Sequence, residues 1–133
     1  MKMKVRKTMK FKNQRHREIF HKAIRRLDKQ NERLMAVVYL FTADNRLWGM
    51  TEKGICYSGV DFSQIRVQNC SAPVYTLYCA AKDLYYGTDR LILSDLSDAE
   101  VVPPKVFKLI CNAMGICRVG LDFVYTKERK ECK

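Results

Sequence analysis

A chain of 133 residues, 47% of them apolar, has room for one domain with a real core, which excludes a disordered chain and a pair of ordinary domains. No apolar run reaches the roughly 18–20 residues of a membrane span, and no apolar stretch of the kind an export signal needs follows the basic start, so the expectation is a cytoplasmic protein without a membrane partner. The charge is lopsided. Residues 1–33 hold 13 Lys/Arg and three acids, a net of 13 − 3 = +10, whereas residues 34–133 hold 12 and 11, a net of +1, out of the formal +11. Such a field attracts polyanions or acidic surfaces.

Residues 1–10 read as a basic, mobile lead, residues 11–125 as one helical domain and residues 126–133 as a charged tail. Asn13 can cap a helix that runs to about Lys29, with Ile19, Phe20, Ala23, Ile24 and Leu27 as its apolar stripe. At about 100° per residue, Arg15, Lys22, Arg25, Arg26 and Lys29 share one sector beside that stripe, where Glu18 can pair with Lys22.

Asn31 begins a second helix, to about Thr42. Its run Leu34–Phe41 is apolar all round, as in a helix buried on most sides. Val37, Val38 and Tyr39 also suit a buried strand, but length favours a helix, and the short connection makes the first two helices an antiparallel pair. A short helix follows at about Asn45–Thr51 with the single Trp48, then a loop over 54–61 and one turn at Asp61–Ile65. Ser71 caps a helix with Pro73 in its first turn and Val74, Leu77, Ala80, Ala81 and Leu84 as its stripe; Gly87 ends it. Small Ala80 and Ala81 invite a close helix neighbour. Ser94 can cap a helix from Asp95 to about Val101. After Pro103-Pro104, another runs from Lys105 to Ala113, with Gly115 and Gly120 punctuating its end. The fold class is all-α: a single compact domain of five or six helices around the buried Leu34–Phe41 helix.

The residues offer little for catalysis. His16 and His21 are the two histidines, one near the apolar stripe and one near the basic face; a packed and a solvated histidine explain them better than a base or a shared metal. Cys111 and Cys117 lack zinc spacing, Asp95, Asp98 and Glu100 read as helix capping and surface, and no glycine-rich phosphate loop is present. Most of the six cysteines sit among apolar residues and read as reduced core thiols, with Cys132 exposed. The expectation is a non-enzyme with no metal, no cofactor and no small-molecule substrate.

Residues 94–108 have the rhythm of a helix-turn-helix, which makes a DNA-reading regulator the alternative. Glu100 stands where an apolar packing residue belongs, however, and no glycine occupies the turn. The N-terminal cations are the stronger signal. Lys7, Lys10, Lys12, Arg15, Arg17, Lys22, Arg25, Arg26 and Lys29 are the candidate contacts for DNA, RNA, an acidic protein or a nucleoprotein. Phe11 and Phe20 are the aromatics interleaved with them, and Phe20 faces the core, so the expectation is phosphate contact rather than base recognition.

The run from Phe11 to Phe20, the run Val38–Trp48, Tyr78–Lys82 and Val106–Ala113 together resemble a family of small uncharacterised Firmicutes proteins. The likeness covers about residues 10–124 and rests on apolar and polar patterning, without a catalytic signature. It implies an all-helical domain found on conjugative elements and phages. Small proteins of such elements often regulate the element or block host defence, so a defence nuclease, CRISPR nucleases included, enters as a possible nucleoprotein partner by analogy.

Overall fold

The helix α2, Glu32–Phe41, is the element on which the others pack. The Asn31 side chain accepts the Leu34 N–H at 3.0 Å and so caps it. Every residue from Leu34 to Phe41 has zero solvent exposure. A helix without a polar face needs neighbours all round, and at roughly 1.5–3 kcal/mol per large apolar side chain this burial is the main source of stability. The computed structural model, which describes residues 10–125, supplies those neighbours from α6, α4 and α1. The fold is all-α, as the patterning predicts, with a two-stranded hairpin added.

Helix α1, Gln14–Ile24, is capped by Asn13, whose side chain accepts the His16 N–H at 2.9 Å. The helical wheel extends it to Lys29, but the chain leaves the helix at Ile24. Leu27 N–H closes a turn onto the Ile24 carbonyl at 3.0 Å. Asp28 then receives Gln30 N–H at 3.0 Å and gives its own N–H to the Tyr57 carbonyl at 2.8 Å, aiming the chain into α2.

Helix α3, Asn45–Thr51, lies where the sequence puts it, because Asp44 accepts from both Arg46 N–H and Leu47 N–H. A 3₁₀ turn at Glu52–Gly54 leads into the strands β1, Ile55–Cys56, and β2, Gly59–Val60, paired antiparallel with Ile55 opposite Val60. This hairpin replaces the predicted loop. Bonds from outside hold it: Val60 N–H donates to the Tyr85 hydroxyl at 3.1 Å and Asn31 Nδ2 to the Ser58 carbonyl at 2.9 Å. Gly54 permits the close return of the chain, since a Cβ there would lie 2.8 Å from the Asp61 carbonyl oxygen. Phe62–Gln64 adds one 3₁₀ turn.

Helix α4, Ala72–Tyr86, has Pro73 in its first turn and ends at Gly87, whose φ of 75° suits glycine. Ala80 and Ala81 are buried on the face that meets α2 and α6. Ser71 precedes this helix without a side-chain cap bond. Helix α5 is the single turn Leu93–Leu96, so Ser94 lies inside it rather than capping it, and the helix does not continue to Val101. Helix α6, Pro104–Val119, passes straight through Gly115. That glycine is a contact, not a stop: a Cβ there would lie 2.5 Å from ring carbons of Phe123, just inside α7, Asp122–Tyr125. Among the described residues no helix is long and apolar enough to cross a membrane.

Candidate nucleic-acid interface

The start of the described chain is tied to the core by buried polar bonds. The Lys10 carbonyl accepts from the Tyr39 hydroxyl and from Asn112 Nδ2 at 3.2 Å, and Asn112 Nδ2 also donates to the Tyr39 oxygen at 3.0 Å. His16 Nδ1 accepts the Lys12 N–H at 2.9 Å. A carbonyl only accepts, so His16 Nε2 carries the proton and donates it to Tyr39 O at 2.8 Å. Burial lowers His16 to about 4, against the raising effect of the Tyr39 carbonyl and with help from the Lys12 charge. The ring is neutral near pH 7 and holds structure; both nitrogens are engaged. His21 is likewise placed, stacked on Tyr125 with Nδ1 bonded to the Arg17 carbonyl and Nε2 facing the Tyr125 hydroxyl at 2.8 Å.

This anchoring sets α1 beside α3 and the hairpin, and a groove of about 770 Å³ opens between them. Arg15, Lys22 and Arg26 line one side; Trp48 on α3 and Tyr57 at the hairpin tip line the other. Glu52 is the acidic residue in its lining. Among the described residues no carboxylate pairs with Arg15, Lys22 or Arg26. Glu18, expected to offset Lys22, accepts from Gln14 Nε2 at 3.2 Å instead. Tyr57 is 66% exposed and Trp48 half-buried against the core.

Two smaller hollows continue the groove. One of about 240 Å³ shares Arg15 and Asn45 with it and adds Lys12, Arg46 and Asp44. The other, of about 320 Å³, shares Lys12 and Asn13 with the second and adds Lys105 and Lys108 from the first turns of α6. Together the three hollows gather seven cations and two acids, 7 − 2 = +5. Lys12 Nζ donates to the Ala43 carbonyl at 3.3 Å and Arg46 Nη2 to the Asn69 carbonyl at 2.9 Å. Neutral acceptors orient these charges and leave them uncompensated.

The nine cations singled out by sequence therefore part company. Lys12, Arg15, Lys22 and Arg26 line the hollows. Lys10 is an internal anchor rather than a partner contact: its Nζ donates to Phe123 O at 3.2 Å and lies 4.4 Å from the Phe123 ring centre. Residue 10 is thus tied to the body rather than part of a mobile lead. Arg17 is exposed beside Tyr125, where its charge opposes the burial that raises the phenol. Arg25, Arg26 and Lys29 all lie beyond the last residue of α1, and of the three Arg26 alone is in the groove lining; Lys29 Nζ bonds the Arg25 carbonyl at 3.3 Å. Lys7 lies outside the described residues. Arg46, Trp48, Tyr57, Lys105 and Lys108 join this lining through folding, from parts of the chain remote from the basic N-terminal run.

That motif does not take helix-turn-helix form. Its first helix is one turn, seven residues separate it from Pro104, and Leu93 is 83% exposed instead of packing on a second helix. Cys56 is exposed and Cys70, Cys79, Cys111 and Cys117 are free and partly exposed, so none of these five is a fully buried core thiol; burial still raises Cys79, Cys111 and Cys117. Cys132 lies outside the described residues. Among the described residues no three of His, Cys, Asp and Glu gather as a metal site. The chain matches no family model, no curated protein and no solved structure.

Proposed function

We propose that this protein binds nucleic acid, without catalysis, through the groove between α1, α3 and the hairpin. The observation behind this reading is the set of unpaired Arg15, Lys22 and Arg26 side chains lining one concave surface. Lys and Arg in such an array neutralise phosphates and release counterions, and they share the lining with Trp48, Tyr57 and one carboxylate, Glu52. In the setting of the mobile-element proteins it resembles, the nucleic acid would belong to a nucleoprotein such as a defence nuclease.

The test compares two variants of equal charge loss by fluorescence anisotropy with labelled DNA and RNA. The reading expects Lys22→Ala/Arg26→Ala to weaken binding about tenfold or more, and Arg25→Ala/Lys29→Ala, outside the groove, to change it less than about threefold. Equal effects of the two pairs would mean a diffuse charge and not this groove.

A further inference from the structure

We infer that the nucleic acid held by this groove is a single strand, with an unpaired base against Trp48 and Tyr57 and its backbone running past Lys12 towards Lys105 and Lys108. The inference rests on the nucleic-acid reading and narrows it. A duplex keeps the faces of its bases inside its own stack, so aromatic side chains in a groove give it little. An unpaired strand gains base stacking on each exposed ring, and that gain is tolerant of sequence. Trp48 and Tyr57 line the same groove as the cations that would hold the sugar-phosphate chain. About 770 Å³ lies within the range of roughly 300–1,000 Å³ typical of small-molecule pockets, room enough for an unpaired base with its sugar.

The other two hollows supply the path. Each shares lining residues with the next, so cations recur through three adjoining hollows, from Arg26 in the first to Lys108 in the last. Lys105 and Lys108 are exposed at the start of α6, and Arg46 is fixed by the Asn69 carbonyl. Backbone-tracking charge with aromatic walls at one end is the chemistry of single-strand binding.

Trp48 is the single tryptophan, so its fluorescence reports from inside the groove. The experiment titrates the full-length protein with uridine and thymidine oligomers of roughly twelve nucleotides, and with a duplex of the same length. Both oligomers should quench Trp48 and bind about tenfold or more tighter than the duplex; a difference between them assigns RNA or DNA as the natural source. Tyr57→Ala, at an exposed side chain whose backbone bonds survive, should weaken the oligomers about fivefold or more and leave the duplex within about twofold. Lys105→Ala/Lys108→Ala should lower the oligomer salt slope by about 1.4. Duplex binding equal to or tighter than the oligomers, or no effect of Tyr57→Ala, overturns the single strand. If Lys22→Ala/Arg26→Ala still weakens that duplex, the nucleic-acid reading survives alone. Absence of binding to all three probes removes both.

Discussion

His16 Nε2 lies 2.8 Å from the carbonyl oxygen of Tyr39, so the first helix hangs on the central one through a buried neutral imidazole. Phe11 and Tyr39 lie against that ring, with Phe11 edge-on at 5.1 Å between centroids and Phe20 packed in turn on Phe11. The bond fixes α1, and α1 presents Arg15 and Lys22.

This bond makes stability depend on pH in a definite direction. The folded His16 titrates at about 4 and the unfolded one at 6.5, so the unfolded chain binds the proton more readily. Stability from this group is complete above pH 6.5 and is lost as pH falls towards 4. Urea unfolding should show a loss of about 2 kcal/mol between pH 7.5 and pH 5 from this group. In His16→Gln, which is less stable at both values, that difference should shrink; an unchanged difference would assign it to other groups.

Tyr39→Phe removes the hydroxyl that donates to the Lys10 carbonyl and receives Asn112 Nδ2, while Asn112 keeps its own bond to Lys10. The expected cost is about 1–2 kcal/mol by chemical denaturation. Faster amide exchange at Lys12, whose N–H is held by His16 beside this knot, should accompany it.

Two glycines near the groove should respond oppositely to alanine. Gly49 is inside α3 with nothing within 4 Å of an added Cβ, so Gly49→Ala should gain about 0.5–1 kcal/mol. At Gly54 the new Cβ would meet Ile65 side-chain carbons at 2.5 and 2.7 Å and the Asp61 backbone at 2.8 Å, so Gly54→Ala should cost roughly 1–3 kcal/mol and displace the hairpin that carries Tyr57. Thermal midpoints of the two variants check the signs.

The helices were legible wherever one residue did one job. Asn13 and Asn31 cap as their chemistry predicts, and the unbroken apolar run Leu34–Phe41 announces the central helix. Tertiary contacts decide the rest. Gly115 looks like a helix end because glycine is flexible, but it is kept small by Phe123. Strands of two residues are too short to show alternation, and the 55–60 hairpin is held by Tyr85 and Asn31 from elsewhere in the chain. The charged half of the site was half visible: the wheel placed Arg15 and Lys22 together correctly but ran past Ile24, beyond the last helical residue. Its aromatic half is invisible in the sequence, because Trp48 and Tyr57 reach the groove only through folding, as Lys105 and Lys108 come beside Lys12 only once α6 packs on α2.

The central claim, that Arg15, Lys22 and Arg26 form one phosphate-binding surface, meets its most direct test in the salt dependence of oligonucleotide affinity. The slope of log affinity against log salt should become shallower by about 2 in Arg15→Ala/Lys22→Ala/Arg26→Ala, three cations at about 0.7 each for a single strand. Parallel slopes for this variant and the unaltered protein would contradict it.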